Sequence, residues 1–179
     1  VEPSFFAPTK TNLMNIIDLL KTEFEREMIP TRKMLSIIPE DKHTWKPHEK
    51  SMDMKTLAVH IAEMPSWFKL AVTTDELDFA KEPYTQPEIQ NTGEIVVLFE
   101  NALNEGRESL EVMTIDKLKE TWTLRSGEMI FSTMTKYEML RHAFDQIIHH
   151  RAQLGVYLRL LNVPIPGTYG PSADDQSFG

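Results

Sequence analysis

The chain contains no cysteine. No disulfide can therefore hold the fold, no thiolate of its own can attack a substrate, and any metal must be held by histidine, carboxylate, amide or water. Glycine is scarce. Of seven, four (Gly155, Gly167, Gly170 and Gly179) lie in the last 25 positions, so the rest of the chain lacks the turn punctuation of an all-β protein. No apolar run approaches the roughly 20 residues that a bilayer-spanning helix needs, and no basic-then-apolar segment opens the chain as a secretory leader does. No membrane partner is expected, and the cytoplasm is the default location. Surplus positive charge is missing too. Lys and Arg number 19 against 27 Asp and Glu, a formal charge of -8, with a pI near 5.3. The basic residues are scattered, and phosphate backbones need them gathered, so nucleic acid is not an expected partner.

What remains is 41% hydrophobic and 26% charged over 179 residues, with a mean hydropathy of -0.34. These values describe one globular domain over residues 1–179. Apolar residues three and four apart predict a first helix from Thr9 to about Ile38, with Leu13, Ile16, Ile17, Leu20, Phe24, Met28, Met34 and Leu35 on one face. Pro30 is expected to kink or interrupt it. The stretch 39–50 reads as a loop. Ser51 and Asp53 offer caps for a second helix, roughly Lys55 to Val72, in which Pro65 marks a bend or an early end. A loop over 82–87 precedes a third helix from about Thr92 to Met113. Two β-prone pieces flanking Ser126-Gly127 between Trp122 and Phe131 predict a small hairpin. The last helix, about Thr135 to Asn162, is followed by an irregular tail rich in Pro and Gly. The fold class expected is all-α, a four-helix bundle with a hairpin before its last helix.

The most informative feature is a polar stripe on that last helix. His142, Gln146 and His150 are four apart, each displaced by about 40° from the one before. His149 lies near the same stripe, and Gln153 extends it. Such groups are costly in a dry core unless each finds a partner. A metal is one such partner, with His60 of the second helix as the natural companion ligand, leaving an open position for Zn²⁺, Ni²⁺ or a similar ion. Interhelical hydrogen bonding is the plainer alternative. Glu63, three residues after His60, reads either as a general base or imidazole acceptor or as a solvated carboxylate. Arg151 reads either as support for the site or as half of a buried ion pair. His43 and His48 fall in a loop and are given at most a surface role; Met64, Trp67 and Phe68 read as core.

The segment His149-His150-Arg151-Ala152-Gln153 is similar to the His-His-Arg-Gly-Gln signature of the DinB/YfiT-like superfamily. Trp45-Lys46-Pro47-His48-Glu49-Lys50-Ser51, followed by Leu57-Ala58-Val59-His60-Ile61-Ala62-Glu63, resembles that family's second-helix signature, and Tyr169 to Asp174 resembles the tail of one of its branches. The resemblance implies an up-and-down-related four-helix bundle, commonly a homodimer, with a divalent ion between one histidine of helix two and two on helix four. His60 matches the first ligand and His150 the last. Gln146 stands where the family has its middle histidine, and amide oxygen is a weaker ligand for Zn²⁺ or Ni²⁺ than imidazole. Relatives in the superfamily include metal-dependent S-transferases that use low-molecular-weight thiols, a thiol-dependent isomerase and hydrolases. The implied activity is therefore a thiol-dependent S-transfer or a hydrolysis on a small electrophile, with catalytic roles for Glu63 and Arg151. The competing expectation is a degenerate binding protein whose metal site is weakened or lost at Gln146.

Overall fold

The computed structural model describes residues 15–176, so the expected helical start at Thr9 and Leu13 lies outside the described residues. Helix α1 (Ile16–Ser36) begins where the Asn15 side chain accepts the amides of Ile17 and Asp18. This fills two of the donor groups that a helix start leaves unpaired. The helix runs through Pro30 without interruption, so of the two expected effects, kink or interruption, the second does not occur. A proline in a helix interior costs about 3 kcal/mol. Here Pro30 is itself buried, with Phe24 and Met28 before it and Met34 and Leu35 after it, and packing on both sides holds the helical path. Ile16, placed on the inner face by its spacing, is instead partly exposed.

A single 3-10 turn (Glu40–Lys42) interrupts the loop that follows. The second helical segment divides at Pro65 into α2 (Met54–Glu63) and α3 (Ser66–Thr73). Asp53, rather than Ser51, caps it, through the amide of Thr56 at 2.7 Å. Helix α4 (Thr92–Glu111) starts at Asn91, whose side chain accepts the Glu94 amide. A four-residue helix α5 (Ile115–Leu118), not anticipated, precedes the strands. Helix α6 (Lys136–Leu160) opens with a capping box between Thr135 and Glu138. It closes with Asn162 in the left-handed region at φ 59°. The Asn162 amide donates to the Arg159 carbonyl and the Val163 amide to that of Leu158, both at 3.0 Å, which pairs the last carbonyls in the manner of a Schellman end. Pro164 prevents any continuation.

Helix α1, the α2 and α3 pair, α4 and α6 pack around one core. Its largest fully buried side chains include Phe24, Phe68, Phe99 and Phe144. Phe68 meets Phe24 edge-on at 4.6 Å between centroids and Phe144 at 4.7 Å, a geometry that ring quadrupoles favour. A three-stranded sheet in the order β1-β2-β3 sits beside them. The two strands expected around Ser126-Gly127 are β2 (Thr121–Ser126) and β3 (Met129–Thr135), paired antiparallel. The third, β1 (Glu76–Asp78), runs parallel to β2 and was not anticipated. Asp78 carries this junction, its carboxylate accepting the amides of Gly127 at 2.8 Å and Ala80 at 3.0 Å. The molecule is mostly helical, and no helix among the described residues is long and apolar enough to cross a membrane.

Candidate functional site

His60 lies in the last turn of α2 and His150 midway along α6. Leu57, Ala58, Ile61 and Ala62 bury one side of α2, and Ala143, Phe144, Ile147 and Leu154 bury one side of α6. Those anchors bring the two imidazoles into contact, with centroids 4.6 Å apart and planes at 79°. Burial, followed by the neighbouring charge of His150, pushes His60 down to about 4. His150 is lowered as well, chiefly by burial, with its bond to Gln153 acting the other way. Both rings are therefore neutral at neutral pH, the state in which imidazole offers a lone pair.

Gln146 reaches the same place. Its Oε1 lies 3.0 Å from His150 Nε2, and on the far side of the ring His150 Nδ1 lies 3.0 Å from Gln153 Oε1. Gln153 continues through its Nε2 to His149 Nε2 at 3.0 Å. The structure thus places both His60 and Gln146 beside His150. His142 instead sits by Trp67, 6.4 Å between ring centroids, and His149 lies against His150 at 4.9 Å. Among the described residues no group of three or more His, Cys, Asp or Glu side chains is arranged to hold a metal; the Gln146 amide oxygen is a further polar atom beside His150.

Glu63 is half-buried and accepts the Tyr84 hydroxyl at 2.7 Å. Burial raises its carboxyl above the ordinary value, while the bond from Tyr84 offsets part of that rise. Nothing in the sequence pointed to Tyr84, which stands in the Pro83 to Pro87 loop. Arg151 faces away from the histidines. It donates to the Glu27 carboxylate at 2.8 Å, the Glu27 carbonyl at 2.9 Å and Thr31 Oγ1 at 3.0 Å. Tyr169 from the tail joins them, accepting from Arg151 and donating to Glu27, each at 2.6 Å. The buried-pair reading of Arg151 is the one its geometry follows. His43, given a surface role from sequence, is buried. Since Thr92 Oγ1 donates to the Ile38 carbonyl, it accepts from His43 Nε2, 3.1 Å away, and this chain of bonds ties the loop to the start of α4. His48 stays exposed and accepts the Lys50 amide.

The tail docks on α1 and α6 through Tyr169 and through the ion pair of Asp174 with Arg159. Beneath it lies a cavity of about 480 Å³ lined by Met34, Ile148, Gly155, Val156 and Tyr169 among others, and His60, Gln146 and His150 are not part of that lining.

Three solved structures share this architecture. A DinB-like protein from Bacillus subtilis aligns with a TM-score of 0.64 and 21% identity, over 80% of this chain and 92% of its own. A protein assigned to the DinB family from Exiguobacterium sibiricum aligns with 0.65 and 20%, over 85% and 96%. A DinB-like protein from Bacillus cereus aligns with 0.65 and 19%, over 87% and 99%. At such identities these likenesses speak for the fold. No curated protein matches the chain in sequence. The DinB family model matches residues 10–177, nearly the whole length, and the chain belongs to the DinB family.

Proposed function

We propose that this chain is a four-helix-bundle metalloenzyme of the cytoplasm, a homodimer, which holds Zn²⁺ or Ni²⁺ between His60, Gln146 and His150. Its proposed reaction is a thiol-dependent S-transfer, or a hydrolysis, on a small electrophilic molecule. The observation that carries this reading is the contact of two neutral imidazoles from different helices, 4.6 Å between centroids, with an amide oxygen beside one of them. Two imidazoles and one amide fit a borderline divalent ion, with one weak corner and room left for a ligand from solution.

A bound ion would supply the Lewis acidity that lowers the pKa of a thiol or a water. The protein's own part is to keep both rings neutral by burial and to aim them from two rigid helices. Glu63, its carboxyl raised above the ordinary value by burial, is the carboxylate offered as the proton acceptor, with Tyr84 as its hydrogen-bond donor. Arg151 acts through position: locked to α1, it sets the rotation of α6 and hence the direction of His150.

One observation favours the degenerate reading. The Gln146 amide is already bonded to His150 Nε2, the atom that a metal would use. Metal content separates the two. Untagged protein analysed element by element is expected to carry stoichiometric zinc or nickel, lost in His60→Ala and in His150→Ala, with thiol-dependent turnover of an electrophile lost alongside. Full turnover in metal-free protein overturns the enzyme reading. An empty wild type together with a filled Gln146→His variant makes the chain a degenerate binding protein.

A further inference from the structure

We infer that Gln153 is a positioning residue that fixes His150 as its Nδ1–H tautomer and so presents the Nε2 lone pair on the Gln146 side; this rests on the metal-site reading for its purpose, though not for its observation. Both ring nitrogens of His150 face an amide oxygen, Gln153 Oε1 at Nδ1 and Gln146 Oε1 at Nε2, each at 3.0 Å. A neutral imidazole has one N–H to donate and one lone pair that must accept. One of the two amides must therefore turn its NH₂ toward the ring.

The two amides are not equivalent. Gln153 is held at both ends, its Oε1 at His150 and its Nε2 at His149 Nε2, 3.0 Å away, so turning it would force His149 to change tautomer as well. Gln146 has its one side-chain bond, among the described residues, to His150, and a half-turn of its amide sacrifices no other partner. The self-consistent network then runs in one direction. His150 Nδ1–H donates to Gln153 Oε1, the Gln153 amide N–H donates to His149, and the Gln146 amide N–H donates to His150 Nε2. That tautomer would offer a cation the Nε2 lone pair of His150, with the Gln146 amide as the neighbouring group that would supply an oxygen. Metal-ligating histidines commonly donate their other N–H to such an acceptor, and loss of it typically weakens metal affinity by about 10–100-fold. Helical spacing makes this possible within one element, since Gln146 and Gln153 lie four before and three after His150.

The test reads the tautomer directly in metal-free, full-length ¹⁵N-labelled protein at pH 8, where an ordinary imidazole is neutral. Long-range proton–nitrogen correlation spectra are expected to show His150 with a protonated Nδ1 and an unprotonated Nε2. Gln153→Leu, which keeps the bulk and removes the acceptor, is expected to move His150 toward the Nε2–H form and to weaken zinc binding by about 10–100-fold, measured by competition with a chromophoric chelator. Gln153→Glu keeps the acceptor and is expected to restore both. An unchanged unfolding midpoint in the two variants separates this role from a merely structural one. A wild-type His150 protonated at Nε2, or a Gln153→Leu variant with an unaltered tautomer, overturns the inference. The expected tautomer in a wild type that takes up no zinc supports the inference and overturns the metal-site reading instead.

Discussion

Arg151 and Glu27 show how much a single side chain decides here. Their side chains are 3% and 2% exposed, and the guanidinium is surrounded by Glu27, Thr31 and Tyr169. A buried ion pair contributes little net stability against a well-packed apolar replacement, but removing one partner strands the other charge, at about 3–5 kcal/mol. Arg151→Met is expected to destabilise the fold by that amount. The double variant Glu27→Gln/Arg151→Met is expected to recover much of it, as read from urea midpoints. An Arg151→Met variant of wild-type stability would show that the pair is not desolvated. The motif around Arg151 was legible in the sequence, and its partner was not. Glu27 lies 124 positions away beside Met28, and no periodicity tells a buried carboxylate from a solvated one. The same holds for His43: its burial depends on Thr92, 49 positions on.

At the scale of elements, helices α1, α2, α4 and α6 were readable because each carries its own apolar stripe and its own capping side chain, both local in sequence. Asp53, Asn91 and Thr135 cap where the stripes begin, and the second helix divides at Pro65. Strand β1 had no such signature: three residues long, it exists through pairing with β2, from Glu76 to Thr123 across to Asp78 with Arg125. The close approach of α4 to the α2–α3 junction was equally hidden, and it rests on Gly106. A Cβ there would stand 2.5 Å from the Pro65 carbonyl oxygen and 2.8 Å from the Phe24 ring. Neither neighbour is a flexible side-chain end. Gly106→Ala gains helix propensity of about 1 kcal/mol, yet overpacking of this kind costs about 1–3 kcal/mol or more. With backbone as the obstacle, the clash is expected to win. The variant should unfold at lower urea than wild type, while Gly93→Ala, beside the side chain of Asn91 alone, should not approach that loss.

The whole molecule brings His60 of α2 and His150 of α6 together from helices far apart in the chain, so the candidate site and global stability answer to pH together. His60 is lowered from 6.5 to about 4, and His150 moves the same way. Between those values the unfolded chain binds more protons than the folded one, so stability rises with pH through the window and is lost as pH falls from about 6.5 to about 4. Glu63, raised by burial, works in the opposite sense: the folded state keeps its proton longer, and stability falls as pH climbs past its ordinary 4.5. For a ring that is only partly buried, solvent screening reduces the His60 share to about 1–2 kcal/mol. In chelator-treated protein, the unfolding free energy is expected to drop by about that much in excess over His60→Asn, which keeps a polar group and cannot titrate. If His60→Asn follows the wild-type curve throughout this window, the imidazole is not held neutral by the fold, and the pairing of α2 with α6 loses its chemical consequence. Zinc sharpens the contrast. A ligand that binds only the folded, neutral pair adds about 2.7 kcal/mol at one hundred times its Kd, and the addition should vanish on the acid side at the pH where the two rings take up protons.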